Sequence, residues 1–144
     1  MDYSVEPMTL SHYDQVFALW DGSPGIGVTL SDSRDAIERY LERNPGLSLV
    51  ALDEKGQVIG AVLCGHDGAR GYIRHLIVSE NHRQRGIGRR LINECLAELA
   101  SRGIGRCTIF TFAGNEEGQA FWIRGGWRQR TDLEAMSVDL WEAH

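Results

Sequence analysis

The chain has 144 residues, 42% of them hydrophobic and 24% charged, which suits one soluble globular domain rather than two. Twenty acidic against fifteen basic side chains leave a net charge of -5, arguing against a domain whose main business is covering nucleic acid or an anionic membrane. No apolar run approaches the roughly 18 residues of a bilayer span, and the opening residues carry no signal pattern, so a cytoplasmic protein is expected. The cysteines, Cys64, Cys95 and Cys107, are odd in number and widely spaced, so neither a disulfide framework nor a metal site is expected.

In chain order, Tyr3 to Glu6 reads as a short strand, and Ser11 is placed to cap a helix carrying Val16, Leu19 and Trp20. Ser31 and Ser33 offer caps for a second helix with Ile37, Tyr40 and Leu41, stopped by Pro45-Gly46. Leu47 to Leu52, Val58 to Cys64 and Tyr72 to Val78 then form an antiparallel meander with turns at Asp53–Gly56 and Asp67-Gly68. A helix from Gly88 to Arg102 shows one apolar stripe. It is followed by a strand from Cys107 to Phe112, a helix from Glu116 to Arg124, and one or two closing strands between Trp127 and Leu140. The order βααβββαβαβ predicts an α+β fold: a mixed, largely antiparallel sheet flanked by helices, in a single domain over 1–144.

The informative stretch joins the third meander strand to the long helix, and its chemistry is anion binding. Gly86 and Gly88 let the backbone approach a ligand, and the first-turn amides of the helix have no partner within it. Arg83, Arg85, Arg89 and Arg90 crowd this turn in an otherwise acidic protein. Arg89 and Arg90 meet the positive end of the helix dipole, which disfavours each by about 0.3 to 1 kcal/mol unless an anion compensates. A solvated basic helix start is the plainer alternative. Neither a P-loop nor a complete dinucleotide fingerprint is present.

Arg83-Gln84-Arg85-Gly86-Ile87-Gly88, after the strand Leu76-Ile77-Val78, resembles the glycine turn of the GNAT superfamily of acetyl-coenzyme A dependent N-acetyltransferases. A second block, Asn115 to Trp127, resembles that family's segment with Asn, an aromatic pair and a closing Gly-aromatic. The resemblance implies a GNAT-like twisted sheet and acetyl-coenzyme A as co-substrate. It implies that amides from Arg83, Gln84, Arg85, Gly86, Ile87, Gly88 and Arg89 hold the pyrophosphate, that the backbone at Ile77 and Val78 pairs with pantetheine, and that Asn115 contacts the cofactor arm. A helix cap is the alternative role for Asn115.

The sequence departs from the family where protons move. Trp122 stands where a Tyr usually protonates the leaving thiolate, and an indole N–H does not titrate usefully. Tyr72 and Phe110 stand where different members carry a catalytic Glu. His75 is the remaining base candidate, with a structural strand histidine as the alternative. Strict alternation sets Tyr72 and Arg74 on one face and His75 on the other unless a bulge intervenes, and the Tyr72 face is favoured. Trp20 is expected in the core, and Asp21, Asp32 and Asp35 carry no catalytic assignment.

Two functions remain at this point: direct acetyl transfer to a primary amine, small or on a peptide or protein, and an acyl-coenzyme A binding module with little activity. The first is favoured, because positioning two reactants supplies much of a rate. Transfer to a tRNA-bound amine is disfavoured by the acidic balance. The acceptor and the oligomeric state, a homodimer included, stay open.

Overall fold

The alternating and helical patterns assemble into a sheet with helices on both faces. The computed structural model describes residues 2–141. In order they form β1 (Ser4–Pro7), α1 (Tyr13–Asp21), α2 (Arg34–Arg43), β2 (Leu49–Leu52), β3 (Val58–His66), β4 (Gly71–Val78), α3 (Ile87–Ser101), β5 (Cys107–Thr108) and α4 (Glu116–Arg124). Short 3-10 turns at Leu10–His12, Leu30–Asp32 and Glu80–His82 precede α1, α2 and α3. The chain divides between Phe110 and Thr111 into two compact units.

The first unit holds the whole sheet, in the order β1-β2-β3-β4-β5, antiparallel from β1 to β4 and parallel between β4 and β5. On one face Val16 and Trp20 of α1 and Ile37 of α2 pack with Val50, Leu63 and Ile77. On the other, α3 buries Leu91, Ile92, Cys95 and Leu99. Each large apolar side chain so buried contributes about 1.5 to 3 kcal/mol, so the sheet needs no crosslink.

At Gly65 on β3 the side chains of α2 approach the strand closely. A Cβ there would lie 2.6 Å from the Tyr40 hydroxyl and 2.8 Å from the Asn44 amide, so only glycine leaves room for both. Asn44 uses that seat. Its Nδ2 donates to Tyr40 O at 3.2 Å, and its Oδ1 accepts from His66 N at 3.1 Å.

Three expectations need correction. Ser11 does not cap α1: the helix begins at Tyr13, after a turn in which Thr9 N–H donates to His12 Nδ1 at 3.0 Å. The strand expected over Cys107 to Phe112 pairs only at Cys107 and Thr108, and among the described residues no closing strand forms between Trp127 and Leu140. Met136, Val138 and Leu140 have a strand's alternation, but a strand also needs a ladder, and Met136 is 91% exposed. The mixed, mostly antiparallel α+β architecture stands, with five strands. Ser33 does cap α2, accepting from Ala36 N at 3.2 Å.

The second unit is built on α4. Asn115 caps it, with Oδ1 accepting from Gly118 N at 3.0 Å, and the helix closes at Gly125, whose N–H donates to Trp122 O at 3.0 Å.

Candidate active site

The exit of β4 is a turn stressed at two residues. Gln84 has φ of 63° and Gly86 of 81°, both left-handed, and Gly86 leads into α3 with no side chain capping the helix. A Cβ at Gly86 would meet nothing within 4 Å, so the requirement there is conformational and not steric. Amides alternating with left-handed residues make an anion-binding concavity, and the α3 dipole adds positive potential. No acidic side chain occupies the first turn of α3 to neutralise it.

Beside this turn β4 offers an open edge, since its ladder to β5 covers only Gly71 and Tyr72. Ser79 N donates to Ile59 O at 2.8 Å, and Ile77 pairs with Ala61 on β3. By alternation, the Val78 backbone faces the opposite, open side, where Val78 O accepts from Arg83 Nε at 3.1 Å. Of the two strand residues expected to offer backbone groups to a ligand, Val78 turns its main chain to the open side and Ile77 toward β3.

In mid-strand the register slips. Ala61 pairs with Ile77 and Leu63 with Arg74, so the single residue Val62 opposes both His75 and Leu76. His75 is the bulged residue, with φ of 56°. This is an uncommon conformation for a side chain with a Cβ, and bulges characteristically re-aim a side chain beside a functional site. Its consequence is that Arg74 and His75 lie on one face, toward α1 and α2, where strict alternation separates them.

Both reach the same atom. Asp32 Oδ1 is 3.1 Å from Arg74 Nη1 and 3.0 Å from His75 Nε2, while its Oδ2 accepts from Thr29 N at 3.0 Å. Asp32 is 1% exposed, and its carbonyl oxygen also accepts from the Tyr13 hydroxyl at 2.6 Å. Burial alone pushes the Asp32 carboxyl up. The hydrogen bonds from His75 and Thr29, with the charges of His75 and Arg74, outweigh it and hold the group below the usual carboxylate range. An ionised carboxylate only accepts, so His75 Nε2 carries the hydrogen and Nδ1 is the nitrogen left for other chemistry. The imidazole meets the Trp20 ring edge-on at 5.0 Å, and the His75 side chain keeps 14% of its surface exposed. Trp20 itself is fully buried, in the core as expected.

Tyr72 pairs opposite Gly65 at the start of β4, its ring nearly parallel to that of Phe110 at 6.4 Å. In the second unit Asn115 is spent on the helix cap through Oδ1. Trp122 sits edge-on to Trp127 at 4.9 Å and to Phe121 at 5.4 Å, a packed aromatic cluster.

The family model described as the acetyltransferase (GNAT) family matches residues 13–126. The chain belongs to the GNAT acetyltransferase family. Among its relatives, an acetyltransferase of Sodalis glossinidius is 32% identical over 104 residues, covering 72% of each chain. One of Photorhabdus laumondii is 32% identical over 108 residues, covering 72% of this chain and 71% of the relative. The fold is that of a GNAT-family acetyltransferase from Staphylococcus aureus, with a TM-score of 0.79 at 16% identity over 96% of this chain and 92% of that one. It also matches a PaiA N-acetyltransferase from Thermoplasma acidophilum in complex with coenzyme A, with a TM-score of 0.76 at 15% identity over 87% and 89%.

This GNAT protein is thus an acyltransferase, and of its thiols Cys64 is held below its ordinary value, by its hydrogen bond with Cys95 and by the charge of Arg102, but is fully buried. Cys64 and Cys95 are buried. The Cys64 thiol beside Cys95 and burial both push Cys95 above its ordinary value, and burial pushes Cys107 up to about 12. No group of three or more His, Cys, Asp or Glu side chains among the described residues is arranged to hold a metal, and none of the described helices is long and apolar enough to cross a membrane.

Asp32 is the residue that sequence reasoning passed over. Thr29 and Asp32 have the spacing of a capping box, a signal that could have fixed Asp32 at the end of a turn. Its partners lie 42 and 43 residues away, and no local pattern names them.

Proposed function

We propose that this acyltransferase carries an acetyl group from acetyl-coenzyme A to a primary amine, by direct attack while both are bound. The observation that carries the reading is the pairing, at two points of β4, of an uncapped glycine turn and a bulged histidine held by a buried carboxylate. The family match over 13–126 crosses the boundary between the two units, which supports reading them as one acetyltransferase domain.

The residues fit the co-substrate at its charged end. The backbone of 83–89 and the α3 N-terminus suit a pyrophosphate, with arginine side chains adding screened, longer-range attraction. Val78 offers an open strand edge to an amide-bearing arm. Acetyl-coenzyme A supplies the thioester carbon that the amine attacks. We assign Asn115 to the cofactor arm on the family motif, its cap leaving Nδ2 as the donor.

His75 is the base in this reading. Asp32 holds Nε2–H, which fixes the tautomer and the ring plane, and Nδ1 takes the proton that the amine sheds on attack. Asp32 acts as a positioning residue, and Arg74 shares its charge. Tyr72 lines the acceptor side and is not needed as a base. Trp122 has no titrating proton to give, so the departing thiolate takes its proton from water, and the indole packs.

Initial-rate kinetics test the order of events. Double-reciprocal plots that intersect, with no acetylated protein by mass spectrometry after incubation without amine, are expected. Parallel plots, or acetylation of Cys64, Cys95 or Cys107, would reverse the assignment of direct transfer.

A further inference from the structure

Within the first unit, between the C-terminal end of α2 and the start of β4, lies a cavity of about 410 Å³. Tyr40, Tyr72 and Phe110 give it aromatic walls, and two arginines, Arg43 and Arg74, line it as well.

Arg74 is a prepared donor. Asp32 Oδ1 holds its Nη1 at 3.1 Å, the guanidinium lies 4.8 Å from the Tyr40 ring centroid, and the side chain is still 32% exposed. A guanidinium has five N–H donors, so this anchoring leaves most of them for the cavity. Arg43 follows Tyr40 by three residues on α2 and makes no salt bridge among the described residues. The carboxylate of the lining is Asp67, whose Oδ1 accepts from the amides of Ala69 and Arg70 at 2.8 Å each. Tyr40, pushed up to about 12 chiefly by burial, stays neutral. Arg74 is already paired with Asp32, so Arg43 is the guanidinium of the lining that has no salt bridge among the described residues, opposite a carboxylate engaged in its own turn.

His75 adjoins Arg74, and the bulge turns both to this side of the sheet. We propose that the cavity receives an amino carboxylate: Arg74, backed by Arg43, binds the carboxylate, the aromatic walls take the side chain, and the amine is left toward His75. The proposal rests on the acetyl-transfer reading and adds the chemistry of the acceptor. A planar guanidinium matches a carboxylate in a two-point fork, and one already held by Asp32 and Tyr40 has little freedom left to lose.

Acceptors matched except for the carboxylate test this. Coenzyme A release is measured with phenylalanine against phenethylamine, and with glycyl-aspartate against glycyl-asparagine, both dipeptides as their C-terminal amides. The carboxylate-bearing member of at least one pair is expected to have a kcat/KM about tenfold or more above its partner. Preference in the second pair alone assigns the carboxylate to an acidic peptide. Arg74→Gln removes the preference and Arg43→Gln reduces it several-fold, with KM for acetyl-coenzyme A unchanged. Arg43→Gln, on the exposed side of α2, keeps the test sound if Arg74→Gln unsettles the fold. Equal or faster turnover of the uncharged partners in both pairs overturns the proposal. Calorimetry of N-acetylphenylalanine and its amide on the coenzyme A complex separates the two readings. A carboxylate preference that Arg43→Gln weakens, in a protein that turns over no amine, sustains the cavity assignment and removes the transfer reading; no preference in binding removes the cavity assignment.

Discussion

The exit and the middle of β4 do opposite things with the same strand. At its exit the chain presents main-chain amides, set by left-handed backbone at Gln84 and Gly86 and left without a side-chain cap at the start of α3. At its middle it works through side chains, with Arg74 and His75 drawn to one face by a bulge and fixed by Asp32 from the turn before α2. Binding by backbone is tolerant of side chains and intolerant of conformation. Chemistry by side chains depends on each partner, and the partners come from distant parts of the chain.

Substitutions that strike one of these places and spare the other sharpen this contrast. Gly86→Val has the largest expected effect at the exit, because a β-branched residue at φ of 81° must deform the turn. Strain of about 1 to 3 kcal/mol translates to an affinity for acetyl-coenzyme A lower by roughly fivefold to a hundred-and-fiftyfold, with kcat at saturation little changed. Calorimetry on the folded variant reads the first, and coenzyme A release the second. Unchanged affinity would move the anion site elsewhere.

Asp32→Asn strikes the middle. The amide must turn its NH2 toward either Thr29 N–H or the His75 and Arg74 pair, so one donor is left facing another. The expected result is a kcat lower by about tenfold, with affinity for acetyl-coenzyme A unchanged. ¹⁵N NMR of the His75 ring should show loss of the single Nε2–H tautomer, a change that a purely structural role would not produce. Stability carries a second signature. The Asp32 carboxyl lies below its ordinary value in the folded protein, so its contribution is complete above about pH 4 and is lost as pH falls through the folded value. The gap in thermal midpoint between wild type and Asp32→Asn should therefore be widest above about pH 4 and close in acid. A gap that widens in acid would contradict the assigned direction.

The contrast also explains what was legible in the sequence. The glycine turn from Arg83 to Gly88 is local and could be read as a turn from its glycines and arginines. The meander could be read as well, since its turns at Asp53–Gly56 and Asp67-Gly68 announce themselves. The bulge at His75 could not, because it arises from a register set by β3, and without it alternation wrongly separates His75 from Arg74. Asp32 was visible as part of a turn and invisible as a partner. Between Trp127 and Leu140 the failure ran the other way: the alternating pattern is there, and the ladder is not.

Trp122→Phe is expected to have the smallest effect. Trp122 packs edge-on between Phe121 and Trp127, and Phe preserves an aromatic face there. Turnover should change by less than about threefold, well under 1 kcal/mol of barrier. A larger fall with acetyl-coenzyme A affinity unchanged would give the indole N–H a part in the transition state and shift weight from the first unit to the second.

His75→Gln tests the central claim most directly. Gln already adopts the left-handed backbone in this chain at Gln84, and its Nε2 can donate to Asp32 where the imidazole Nε2 does, so the bulge and the buried carboxylate keep their partner. Only the base is lost. Measured side by side, kcat for amine acetylation should fall by about a hundredfold while the dissociation constant for acetyl-coenzyme A stays at the wild-type value. A variant that binds acetyl-coenzyme A normally and turns over at the wild-type rate would contradict the account, leaving His75 a structural residue of the bulge.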